Sequence, residues 1–129
     1  MNTNLVRQGM LALALGVAIA ALMAGPFSSP ALAHNELLKT DPAAKATVKV
    51  APTRVQFWFG EKPDMTVTKI VVKGPSGIVE TAVHPVSEKV LAADFKSKLA
   101  PGAYTVSWQT AGDDSHISKG EFSFTVTAQ

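Results

Sequence analysis

The chain has 129 residues, of which 47% are hydrophobic and 17% charged, and it contains no cysteine. A net charge of +2 gives no electrostatic case for binding nucleic acid or an anionic membrane surface. Without cysteine there is neither a disulfide framework nor a thiolate metal ligand.

Residues 1–33 read as a targeting segment. Arg7 supplies a positive start, Met10 to Ala24 is a nearly unbroken apolar run, and Pro26 to Pro30 is turn-rich. Ala31-Leu32-Ala33 is the small-x-small triplet that a signal peptidase cuts. The competing reading is an uncleaved anchor, but the run is short of the roughly 20 residues that span a bilayer. Cleavage predicts an exported chain of residues 34–129, long enough for one domain with one core. Losing Arg7 from a net charge of +2 leaves it at +1. No second long apolar segment follows, so the processed chain is not expected to enter the membrane.

The same cut makes His34 the first residue. A terminal histidine offers its free amine and its imidazole Nδ1 to one ion as a chelate. Reference pKa values of about 7.7–8.0 for an α-amine and about 6.5 for an imidazole mean that a metal displaces their protons at modest cost. Only Met65 among the four methionines lies beyond the cut, so no thioether cluster for Cu(I) is available.

The rest reads as short strands between turn signals. Glu36 to Thr40 is a predicted edge strand stopped by Asp41-Pro42. Ala43 to Lys49 is the best helix candidate, though short and ending in β-branched residues. Val55, Phe57 and Phe59 alternate with Arg54, Gln56 and Trp58, which marks one apolar strand face. Thr66 to Lys73 is β-branched and ends at Gly74-Pro75. Ser76-Gly77 is a turn signal, followed by strand candidates Ile78 to Val83 and Lys89 to Phe95. Pro101-Gly102 turns the chain and places Tyr104, Val106 and Trp108 on one face. Phe122, Phe124 and Val126 alternate with polar residues in the last strand. Seven candidate strands predict an immunoglobulin-like β-sandwich, without the Cys…Trp…Cys pattern of antibody domains.

The second metal signal is Asp114-Ser115-His116. In an extended segment residues two apart share a side, so Asp114 and His116 present a carboxylate and an imidazole to one point. With His34 they make an N,N,N,O donor set. Such a set in tetragonal arrangement suits Cu(II), with zinc and nickel as competitors. Taken alone, Asp-x-His near a turn is more often a solvated loop with a hydrogen bond. Glu61, after the Phe57-Trp58-Phe59-Gly60 stretch, is either a surface glutamate or a group supporting a metal-bound imidazole. His84, in Val83-His84-Pro85, reads as an exposed turn residue with only Glu80 and Glu88 near it in sequence.

These pieces carry a resemblance. His34, Leu37, Thr40-Asp41-Pro42-Ala43, Pro52-Thr53-Arg54-Val55, Phe57-Trp58-Phe59 and Glu61 resemble the CopC periplasmic copper-binding proteins. So do Leu99, Pro101-Gly102, Tyr104, Val106, Trp108, Asp114, His116, Gly120, Phe122, Phe124 and Val126. The resemblance implies a seven-stranded Greek-key sandwich, cupredoxin-like in outline, acting in the periplasm. It implies one Cu(II) per chain held by the His34 amine and ring, Asp114 and His116, with Glu61 as an outer or weak contact. It implies a copper chaperone or buffer in copper homeostasis and resistance, with a CopD-type inner-membrane transporter as partner.

Two departures stand out. Family members often carry Asp-Gly-His-Pro where this chain has Asp114-Ser115-His116-Ile117. The methionine-rich loop of members with a second, Cu(I) site corresponds to Gly77 to Glu88, which holds no methionine. The chain therefore resembles the Cu(II)-only subgroup. Two other classes compete: a copper-brace oxidative enzyme, disfavoured by the Asp114 carboxylate in the coordination plane, and a metal-free interaction module resting on the sandwich alone.

Overall fold

A computed structural model describes residues 35–128 of the chain. The targeting segment and His34 therefore lie outside the described residues. Nine strands run β1 (Leu37–Asp41), β2 (Thr47–Val48), β3 (Arg54–Phe59), β4 (Lys69–Gly74), β5 (Gly77–Val79), β6 (Thr81–Ser87), β7 (Val90–Phe95), β8 (Gly102–Ala111) and β9 (Ile117–Val126). They form a four-stranded sheet in the order β1-β3-β7-β6 and a five-stranded sheet in the order β2-β9-β8-β4-β5. The chain changes sheets five times, between β1 and β2, β2 and β3, β3 and β4, β5 and β6, and β7 and β8, as strands shared between the two layers of a sandwich require.

The all-β sandwich matches the expectation, but the described residues hold nine strands rather than seven. One extra strand comes from Ile78 to Val83, which breaks at Glu80. Its first part pairs with β4 in one sheet, and its second pairs with β7 in the other. The other is the two-residue β2, inside the segment that offered the best helix candidate. Ala43 to Ala46 makes a turn instead, with Lys45 at φ 69° donating its N–H to the Ser123 carbonyl at 2.6 Å. The segment is too short to repay helix nucleation, and its β-branched Thr47 and Val48 pair parallel to β9. Strand β4 starts at Lys69 rather than Thr66, because Thr66 and Thr68 both bond back to Asp64.

The core follows the alternation. Val55 and Phe57 are fully buried, Phe59 nearly so, and from the opposite sheet come Val72, Val106, Phe124 and Val126. Phe57 stacks with Phe59 and meets Phe122 edge-on, while Tyr104 stacks with Phe124. The Tyr104 hydroxyl donates to the Ala100 carbonyl four residues upstream, at 2.5 Å, and so pins the turn that launches β8. Tyr104→Phe keeps the ring and loses that bond. The expected cost is about 1 kcal/mol, read as a lower denaturation midpoint with an unchanged slope. Among the described residues no helix is long and apolar enough to cross a membrane.

Candidate metal centre

Strands β8 and β9 are the longest hairpin arms of the fold, paired from Gly102↔Val126 to Ala111↔Ile117. The loop joining them, residues 112–116, carries the Asp-x-His segment. Its geometry is a turn and not the extended run the spacing suggested. The Ser115 N–H reaches the Gly112 carbonyl at 3.2 Å, and Ser115 sits at φ 63°. This is the left-handed region that a glycine enters without penalty and other residues enter at some cost.

The two side chains still converge, for a different reason than strand alternation. Asp114 Oδ1 accepts the His116 backbone N–H at 3.0 Å, which closes a turn through the side chain. That leaves Oδ2 beside the ring, 3.2 Å from His116 Nδ1. Two donors about 2.0–2.1 Å from one ion and at right angles to each other are separated by about 2.9 Å. The 3.2 Å contact is a hydrogen bond or ion pair between the two side chains, and it leaves both donors near the spacing that one ion would need. The His116 side chain is 70% exposed and therefore open to an incoming ion.

Glu61 lies at the same end of the molecule, just past β3. One carboxylate oxygen, Oε1, accepts the Asp113 backbone N–H at 3.0 Å. It packs so tightly on Gly112 that a Cβ there would come within 2.2 Å of the same oxygen. The role visible in the geometry is therefore support of the loop rather than that of a plain surface glutamate. A second brace comes from Asp64, whose N–H donates to the Ala111 carbonyl at 2.9 Å. The hydroxyl and then the backbone N–H of Thr66 hold the Asp64 carboxyl below the usual carboxylate range.

Sequence reasoning missed Asn35. It is buried, 1% exposed, and its amide makes two bonds to the Glu61 backbone. Its Nδ2 donates to the carbonyl at 3.1 Å, and its Oδ1 accepts the N–H at 2.9 Å. The only available signal was a small polar residue between the cleavage triplet and a predicted edge strand, which is too common to be read.

His84 is not a turn residue. It lies within β6, and its Nε2 is 2.8 Å from Asp94 Oδ2 on β7. Arg54 Nε on β3 approaches Asp94 Oδ1 at 2.9 Å. These half-exposed groups make a cross-strand charge cluster on the four-stranded sheet, well explained as local pairing of modest worth. Of the predicted donors the structure brings Asp114 and His116 together. Among the described residues no group of three or more His, Asp or Glu side chains gathers in a metal-binding arrangement.

Residues 37–127 match the CopC domain. The chain belongs to the CopC family. Among curated CopC relatives, copper resistance protein C of Escherichia coli is 34% identical over 108 residues, covering 74% of this chain and 83% of that protein. Protein YobA of Escherichia coli K12 is 29% identical over 116 residues, covering 87% of this chain and 94% of that protein. Among solved structures, PcoC, a methionine-rich copper resistance protein of Escherichia coli, aligns at 27% identity with a TM-score of 0.68. It covers 74% of this chain and 100% of PcoC. CopC of Methylosinus trichosporium OB3b aligns at 28% identity with a TM-score of 0.65, over 73% of this chain and 94% of that one.

Proposed function

We propose that this CopC-family protein is an exported, periplasmic Cu(II) carrier or buffer that holds one ion per chain and catalyses no reaction. The observation that carries the reading is the 3.2 Å approach of Asp114 Oδ2 to His116 Nδ1 on an exposed loop. The copper resistance proteins among its relatives support the choice of metal. In this reading export processing frees the His34 amine, and that amine and its ring complete the donor set with Asp114 and His116. Copper taken up here serves homeostasis and resistance, with a CopD-type membrane transporter as the receiving partner. The lack of methionine in Gly77 to Glu88 favours the Cu(II)-only subgroup.

The chemistry is ligand capture. The amine and imidazoles release protons as the ion binds, so affinity falls on acidification. The Asx-type turn holds Asp114 and His116 in place before the ion arrives, which lowers the ordering cost of binding. Titrating the processed protein with Cu(II) and following it by electron paramagnetic resonance tests the reading. One equivalent bound in an axial, nitrogen-rich site is expected. Absence of any 1:1 binding would instead make this a metal-free interaction module.

Glu61 gives a sharper test. In this reading it acts through the Asp113 N–H and not through its charge. Glu61→Gln retains an amide oxygen that accepts the same bond, so its Cu(II) affinity should stay near that of the wild type. Glu61→Ala loses the acceptor and should bind about 10–100-fold more weakly. Equal losses in both variants would mean that the carboxylate charge itself contacts the ion.

A further inference from the structure

We propose that the Asn35 side chain is a positioning residue, which docks the start of the processed chain beside the Asp114–His116 loop. The inference rests on the copper reading above and adds a residue that neither the sequence nor the metal chemistry singles out. Strand β1 pairs with β3 through Leu37↔Phe59, and the ladder continues with the Gly60 N–H donating to the Glu36 carbonyl at 2.9 Å. One step further the pairing no longer uses backbone. The Asn35 carboxamide stands in for a peptide group and closes both bonds to Glu61, at 3.1 and 2.9 Å. This side-chain rung prolongs the edge strand to its last residue before His34.

The placement matters because of what Glu61 and Gly112 do next. The same Glu61 whose backbone Asn35 holds sends its carboxylate to the Asp113 N–H. Asn35 also packs on the loop itself, since a Cβ added to Gly112 would lie 3.2 Å from the Asn35 Cβ. One continuous set of contacts therefore runs from Asn35 through Glu61 to the residue before Asp114. The residue ahead of Asn35 is joined to it by a single peptide, about 3.8 Å between Cα atoms. Chain termini ordinarily fray, and a chelate built on a frayed terminus must be ordered on every binding event. A buried amide with both polar ends satisfied prevents that fraying at the residue next to the chelate.

The test uses protein beginning at His34, comparing Asn35→Ala with a core variant, Leu99→Ala, just ahead of β8 at the end away from the loop. Competitive Cu(II) titration and electron paramagnetic resonance are the readouts, with thermal melting to confirm folding. Asn35→Ala is expected to bind about 10–100-fold more weakly with altered spectral parameters, the range seen when groups that orient metal ligands are removed. Leu99→Ala, though destabilised, should keep wild-type affinity and spectrum. If Asn35→Ala does not fold, Asn35→Ser replaces it. That variant buries no charge and keeps a neutral hydroxyl in place of the carboxamide that closes both bonds to Glu61, so a loss in the same direction is expected. Wild-type affinity and spectrum in the folded Asn35 variant would overturn the positioning role while leaving the copper site intact. A wild-type protein that takes up no Cu(II) would remove the site and this role together.

Discussion

An acetyl cap on the His34 amine should weaken Cu(II) binding by about 10²–10³-fold. Structural zinc held by four protein donors is worth about 10–16 kcal/mol in apparent terms, and on that scale one donor carries roughly a quarter, about 2.5–4 kcal/mol. The cap turns the His34 amine into an amide, which gives up its proton far less readily, and offers no new amine in its place. The fold should be unaffected, because β1 begins at Leu37 and its N-terminal rung is made by Asn35. Competitive titration of the capped and the free-terminus proteins reads the difference. Equal affinity would exclude the amine as a donor.

His116→Ala should cause a loss of similar size with almost no change in melting temperature. The ring is exposed and its packing contributes little, so its removal costs binding rather than stability. His84→Ala should do the reverse. It breaks the contact with Asp94 across β6 and β7, at a cost of at most about 1 kcal/mol for so exposed a pair, and leaves copper affinity untouched. The pair of variants separates a loop histidine that serves an ion from a strand histidine that serves its sheet. Both are scored by one titration and one melt each. Loss of copper binding on changing His84, or retention on changing His116, would contradict the assignment.

The sandwich was legible because burial alternates so regularly. Phe57 and Phe59 inward against Trp58 outward, or Phe122 and Phe124 between polar residues, is a pattern that only a half-buried strand satisfies. The switch at Glu80 was not legible, since a strand that changes sheets keeps its composition and alters only its partners. The short β2 was hidden because an alanine-rich stretch reads as helix when the distant β9 it pairs with is not considered.

The site divides in the same way. Asp114 and His116 were found from spacing, although the convergence comes from a side-chain-closed turn rather than strand alternation. Glu61 was half legible, since its position after β3 could be read but its hold on Asp113 depends on contacts 52 residues apart in sequence. Asn35 carried only the weak signal of a small polar residue, because its partner is the backbone of Glu61, and almost any residue type there presents the same two groups.

Native mass spectrometry of the protein recovered from the exported fraction, after one equivalent of Cu(II), tests the central claim most directly. A polypeptide that begins at His34 and carries a single copper ion is the expected species. A polypeptide that begins at any other residue yet holds copper as tightly, or a His34 terminus that stays metal-free, would contradict it.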